Sequence, residues 1–346
     1  MDFDPKEADV KFCGIDLHSN NSVVIVSDDE DRIVLQRRLT NDLGQIRGVL
    51  EPYREELVGV VVESTYNWYW VVDGLMDAGY RVHLAHPSAI RKYEGLKHSG
   101  DVADAAYLAQ LLRLGLLAEG YIYPREQRGV RDLARKRMQL VRYRTAQILA
   151  IENILIRQTG ARMKGEAVKR LTAEQVDTLA LAPDVALAME ANRAVSQALG
   201  QQIEALERRL KERVSLRPEY RLLQSVPGIG EILATTIMLE TGCIDRFAQV
   251  GNFSSYCRCV DSLRESNGRK KGEGNAKNGN KYLAWAFIEA ANFALRCCPQ
   301  AKSFYERKKS KANRVLALKA LAHKLARACY YILRNQEPFD VSRCFG

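Results

Sequence analysis

Runs of β-branched residues open this chain and helix-period stripes replace them, so the apolar pattern divides it. Residues 11–18, 22–27 and 32–39 are short apolar runs separated by the polar turns Ser19-Asn20-Asn21 and Asp28-Asp29-Glu30-Asp31, which predicts three strands. A helix is expected over 42–52, a strand over 57–63, a helix near 67–78, a strand over 80–85 and a helix over about 101–114. The order βββαβαβα mixes an antiparallel meander with parallel crossovers, an α/β unit expected to occupy residues 1–125.

From 126 to 215 the strand-like runs stop. Arg and Lys crowd residues 131–137, and Ala134, Val141, Ile148 and Leu155 recur every seven residues. Leu199, Ile203, Leu206 and Leu210 follow at spacings of four, three and four. Such stripes predict long helices paired as a coiled coil or antiparallel hairpin, separated around Thr159-Gly160 and Ala182-Pro183-Asp184. The pattern leaves an ordinary helical bundle and an oligomerisation arm equally open.

Residues 216–346 are expected to form a third, mainly α region. Ser225-Val226-Pro227-Gly228-Ile229-Gly230 precedes a helix over 231–239. Two glycines flanking an aliphatic residue before a helix suit a helix-hairpin-helix element. Amides around Gly228 and Gly230 would hold a phosphate there; a plain tight turn between helices is the alternative. A helix over 281–295 carries the apolar face Leu283, Phe287, Ala290 and Ala294. The segment 302–334 reads as one amphipathic stretch with a basic face that includes Lys308, Lys319 and Arg327.

Charge narrows the partners. The chain has 346 residues, enough for two or three domains, and its 52 Lys and Arg exceed its 42 Asp and Glu for a net charge of +10. That excess favours a polyanion, either nucleic acid or an anionic membrane surface. No apolar stretch approaches the roughly 18 residues of a membrane span, and the first nine residues lack the pattern of a signal peptide. Nucleic acid in the cytoplasm is therefore expected, with no membrane partner. The eight cysteines show neither a C-x-x-C pair nor zinc-finger spacing to histidine, so they are read as reduced small hydrophobes.

Four carboxylates stand where packing does not explain them. Asp16 closes the run 11–15, Glu63 closes 57–62, and Asp101 and Asp104 sit three apart where a helix is expected to begin. Spacing of i, i+3 puts the last pair on one helical face. Four converging acids repel one another unless divalent cations neutralise them, which points to Mg²⁺, with Mn²⁺ as the alternative, and to phosphodiester chemistry. In a ribonuclease-H-like fold the first strand, the fourth strand and a late helix deliver such acids, which is the order found here. His18 and His98 lie near these acids in sequence and could join the site, but a solvated or structural role is expected for both.

Residues 262–281 read as a glycine-rich basic loop, with no apolar side chain from Glu265 to Gly274. Its glycines permit close backbone approach to a ligand, and Arg269, Lys270, Lys271, Lys277 and Lys281 would neutralise phosphates. Ser266 lies among them, but composition alone does not separate a nucleophile from a solvated serine.

Together these segments resemble a known family. Gly14-Ile15-Asp16, Val62-Glu63-Ser64 and Asp101-x-x-Asp104-Ala105-x-x-Leu108-Ala109 look like the DEDD motif of the insertion-sequence family one-ten transposases. The segments 226–230, 266–272 and 277–285 are similar to that family's C-terminal transposase domain. The resemblance covers nearly the whole chain in the expected order. It implies a DNA recombinase with a RuvC-like domain, a coiled-coil spacer and a serine-bearing domain. It further implies that Asp16, Glu63, Asp101 and Asp104 bind Mg²⁺ and that Ser266 joins covalently to a DNA phosphate, with Ser262 the alternative. In that family a bridge RNA pairs with target and donor DNA, and active sites combine domains from different subunits of a dimer or tetramer, so nucleoid-associated activity is expected. The rivals are a hydrolytic RuvC-like nuclease or junction resolvase and a non-enzymatic nucleic-acid scaffold.

Overall fold

The computed structural model describes residues 10–87, 89–90, 100–260, 263–273 and 278–346. The chain divides into two compact units, Met1–Arg125 and Glu126–Gly346.

In the first unit, β1 (Lys11–Leu17), β2 (Asn21–Ser27) and β3 (Ile33–Thr40) form the expected meander. After α1 (Leu43–Leu50) come β4 (Leu57–Glu63), α2 (Tyr69–Asp77), β5 (Val82–Ala85) and α3 (Asp101–Arg113). The helix expected over 42–52 stops at Leu50 and tightens into a 3₁₀ turn, Glu51–Tyr53, because Pro52 has no amide for the α-ladder. The sheet order is β3-β2-β1-β4-β5, with β1–β4 and β4–β5 parallel and the meander pairs antiparallel. A mixed five-stranded sheet flanked by helices fits a ribonuclease-H-like DEDD domain.

Strand alternation decides which residues meet α3. Cys13, Ile15 and Leu17 pack with Ile46, Leu50, Val71, Val72 and Leu75 on one face of the sheet. Each fully buried aliphatic side chain there contributes about 1.5–3 kcal/mol. Gly14 and Asp16 turn to the opposite face, where Val23 and Ile25 pack against Ala105 of α3. A Cβ on Gly14 would lie 1.9 Å from the Ala105 carbonyl oxygen, so the helix reaches the sheet only because that position is bare.

In the second unit, α4 (Arg125–Thr159) and α7 (Pro183–Val214) are long, with short α5 (Gly165–Lys169) and α6 (Ala173–Asp177) between them. Pro183 and Asp184, expected in a separating loop, instead begin α7, where a proline's missing amide costs nothing. Ile148, Ile151, Ile154 and Leu155 of α4 share a cluster with Met189 of α7, whereas Val130, Leu133 and Ala134 pack against the C-terminal core. That core is built by α8 (Pro218–Gln224), α9 (Glu231–Thr241), α10 (Val250–Tyr256), α11 (Lys281–Cys297), α12 (Pro299–Lys309), α13 (Arg314–Asn335) and α14 (Val341–Phe345). The stretch read as one amphipathic segment over 302–334 is two helices. The Asn313 side chain accepts the Leu316 amide and starts α13 afresh.

The basic loop expected over 262–281 is also corrected: it contains an antiparallel hairpin, β6 (Leu263–Ser266) and β7 (Arg269–Glu273). All eight cysteines are free. Burial pushes the Cys259 thiol up to about 12, which suits a neutral packing group. Among the described residues no helix is long and apolar enough to cross a membrane.

Candidate active site

The parallel register Ile15↔Val62 sets Asp16 and Glu63 side by side at the carboxyl ends of β1 and β4. Both have the strand parity that faces α3, whose first turn carries Asp101 and Asp104. Asp16 is only 4% exposed, and burial raises its pKa above the usual carboxylate range. A hydrogen bond with Glu63 and the nearby His18 pull it down again, while the charges of Asp104 and Asp101 push it up. The four acids thus form one electrostatic cluster. Asp101 moves the other way. The Arg38 guanidinium donates to its Oδ2 at 2.6 Å and holds that carboxyl below the usual range.

Two residues read as marginal or not read at all belong to this cluster. His18 Nε2 lies 3.2 Å from Asp16 Oδ2 and 3.4 Å from Asp101 Oδ1, with its side chain still partly exposed. His98 lies outside the described residues. Arg38 reaches Asp101 because the registers Asp16↔Val23 and Val23↔Arg38 align it with Asp16 across β2. Sequence alone does not supply that register. The parity of His18 with Asp16 was a legible signal, since residues two apart in an extended chain share a face.

Asp16, His18 and Asp101 each offer one ligand atom, and these atoms lie within 4.8 Å of one another. Two carboxylates and one imidazole make a donor set suited to a divalent cation that accepts oxygen and nitrogen. The residues present fit a bound metal.

The serine hairpin lies in the second unit. Ser266 pairs with Arg269 across Asn267 and Gly268, whose φ angles of 52° and 68° make the type I′ turn that matches strand twist. Ser266, Arg269 and Lys271 are exposed. Lys270 occupies β7, while Ser262 and Lys277 lie outside the described residues. Lys281 is exposed at the first position of α11. The preceding Asn280 is buried, with its Oδ1 accepting the Tyr282 and Leu283 amides and its Nδ2 donating to Glu240 at 2.7 Å.

The two glycines of the 225–230 turn differ. Gly228 has φ 87°, and a Cβ there would lie 2.3 Å from the Ala290 carbonyl oxygen of α11, so it serves packing. Gly230 caps α9, is exposed and has nothing within 4 Å of a Cβ position.

Known proteins share these segments. Residues 13–158 match the IS110 DEDD family described as "Transposase", and residues 220–306 match the family described as "Transposase IS116/IS110/IS902 family". A probable family 20 transposase of Pseudomonas aeruginosa is 27% identical over 335 residues, covering 93% of this chain and 96% of that protein. The transposase for insertion sequence element IS1328 of Yersinia enterocolitica is 23% identical, covering 96% and 99%. That for IS1111A of Coxiella burnetii is 24% identical, covering 95% and 88%. With the acids clustered inside the first matched region and the serine hairpin inside the second, the chain belongs to the IS110 family of DEDD transposases.

Proposed function

We propose that this transposase cuts and rejoins DNA through a covalent serine intermediate, with Asp16, Glu63, Asp101 and Asp104 as the metal-binding acids and Ser266 as the nucleophile. The observation that carries the reading is the gathering of the four acids around a buried Asp16. Divalent cations bound there, Mg²⁺ or Mn²⁺, would neutralise charge on the scissile phosphate and stabilise the departing oxygen. The Ser266 hydroxyl attacks phosphorus in line. An Oγ–P bond forms as the P–O bond to the departing strand breaks, the hydroxyl proton passes to solvent, and the departing oxygen is protonated. A strand hydroxyl then attacks the phosphoserine and releases the enzyme, so the energy of the phosphodiester is retained for rejoining. Exposure of Ser266 beside a tight turn gives a long DNA strand access to its Oγ.

Cations at Arg269, Lys270, Lys271, Lys277 and Lys281 would hold the DNA backbone in this reading. The 225–230 turn would act as a helix-hairpin-helix element in which Gly230 allows a phosphate to approach. The long helices would act as a coiled coil between copies in a homo-oligomer. Met189, Ser196, Ile203 and Leu210 are buried at a seven-residue repeat on α7, and Leu149 and Ile156 of α4 are exposed at the same spacing. A bridge RNA would select donor and target DNA, as the family resemblance implies.

The test is incubation of protein with element-end DNA and Mg²⁺, followed by denaturing electrophoresis. Wild type is expected to leave protein covalently attached to DNA, and Ser266→Ala is expected to leave none. Free cut ends without any adduct would instead identify a hydrolytic nuclease.

A further inference from the structure

We infer that His18 is a nitrogen ligand of the cation held by Asp16 and Asp101, which gives this acid site a bias toward Mn²⁺ over Mg²⁺. The inference rests on the proposed metal-binding role of the carboxylates and adds a donor to it.

Three observations carry it. His18 Nε2 stands 3.2 Å from Asp16 Oδ2 and 3.4 Å from Asp101 Oδ1. Metal–ligand bonds of about 2.0–2.1 Å place adjacent octahedral ligands about 2.9 Å apart, so only a few tenths of an ångström separate the present spacing from coordination. Nε2 is also buried without an aligned hydrogen-bond partner, although the ring edge is partly exposed. A buried ring nitrogen left without such a partner costs free energy, and a metal bond removes that cost.

The third observation is the way the residue is held. The His18 amide donates to Asn21 O at 2.9 Å, and its carbonyl accepts Asn41 Nδ2 and Asn67 Nδ2, each at 3.0 Å. Both amides are oriented in turn. Ser22 Oγ donates to Asn41 Oδ1 at 2.7 Å and Thr65 Oγ1 donates to Asn67 Oδ1 at 2.9 Å. Two asparagine side chains therefore converge on one backbone carbonyl, and with the bond from the amide to Asn21 they fix the position from which the imidazole enters the acid cluster. A surface histidine has no need of such anchoring, whereas a metal ligand depends on its supporting hydrogen bonds. An imidazole donor favours ions that accept nitrogen over Mg²⁺, which prefers oxygen.

The test is Mn²⁺ binding to the full chain, read by titration and pulsed electron paramagnetic resonance. Wild type is expected to show nitrogen coupling to Mn²⁺ that changes on ¹⁵N-histidine labelling. In His18→Gln that coupling should vanish, the Mn²⁺ affinity should fall at least about tenfold, and the Mg²⁺ affinity should fall less. The bonds that fix residue 18 use only its backbone, so circular dichroism should be unchanged; His18→Ala serves as the second variant. Absence of nitrogen coupling in wild type, or its persistence in both variants, overturns the assignment. Asp16→Asn separates the two readings. If it abolishes Mn²⁺ binding while both His18 variants bind like wild type, only the part given to His18 fails. If it too binds like wild type, the carboxylate site fails with it.

Discussion

Arg135 grips Glu240 through two parallel hydrogen bonds, Nε to Oε1 at 2.6 Å and Nη2 to Oε2 at 2.7 Å. Glu240 is 4% exposed and also accepts from Asn280, whose side-chain oxygen caps α11. One carboxylate therefore ties α4, α9 and the start of α11 together. Removing one member of a buried pair strands the other, at a cost of about 3–5 kcal/mol, whereas an apolar pair of similar volume costs much less. Glu240→Ala should therefore destabilise the second unit by about 3 kcal/mol in urea unfolding. The double variant Arg135→Met with Glu240→Leu should lose clearly less than the sum of its singles. Additive losses would show that the two residues act independently.

Asp31 is held in the β2–β3 turn by Arg113 Nε at 2.7 Å and Nη2 at 2.6 Å, and by Gln110 Nε2 at 2.9 Å. The Arg113 hydrogen bond is the largest influence on Asp31 and lowers its pKa. As pH falls, the unfolded chain therefore takes up this proton before the folded one does. The stability contributed is complete above the usual carboxylate value of about 3.9 and is lost as pH drops through the lowered folded value. Arg113→Gln should reduce stability at neutral pH and flatten the loss between about pH 4 and 2. Unfolding curves of both proteins across that range check this, and parallel curves would count against it.

The acids were legible because strand ends and helix starts leave local marks: Asp16 and Glu63 follow β-branched runs, and Asp101 and Asp104 sit at i, i+3. Arg38 was not legible, since it reaches Asp101 only through the register of three strands. The hairpin around Asn267-Gly268 carried the strongest short turn signal, but its flanks, Arg264-Glu265-Ser266 and Arg269-Lys270-Lys271, lack the apolar alternation that marks strands. The break before α13 was hidden because Lys308, Lys309 and Lys311 continue a basic helical pattern, and only the Asn313 cap reveals the restart. Periodicity likewise identified α4 as helical without showing that Leu133 and Ala134 pack against the C-terminal core.

Gly228 and Gly230 share one candidate phosphate-binding turn but sit in different surroundings. Gly228→Ala would force a Cβ against the backbone of α11 at a left-handed φ, so it should destabilise the second unit by several kcal/mol, about the scale of a severe core defect. Gly230→Ala meets open space at an extended backbone angle and should leave stability within about 0.5 kcal/mol of wild type. If a phosphate approaches the α9 N-terminus, Gly230→Ala should still weaken DNA binding. Thermal unfolding paired with a DNA-binding titration separates the two effects, and equal loss of stability in both variants would contradict the distinction.

Clustered acids have a further consequence for stability in the metal-free protein. Burial raises the pKa of Asp16, so the folded protein keeps this proton at pH values where the unfolded chain has released it. The contribution of Asp16 to metal-free stability therefore falls as pH rises from the usual carboxylate range through its raised value. Asp16→Asn removes that charge and should be as stable as wild type, or more so, in a chelator at neutral pH. A divalent cation at 100 times its dissociation constant should stabilise wild type by about 2.7 kcal/mol. Asp16→Asn should lose nearly all of that gain, because Asp16 is the most buried of the four acids and contacts Glu63 directly. Thermal scans of both proteins with chelator and with Mg²⁺ or Mn²⁺ give the four values required. An Asp16→Asn protein that is strongly destabilised in chelator, or one that still gains fully from the metal, would show that the acids are held together by something other than a shared cation.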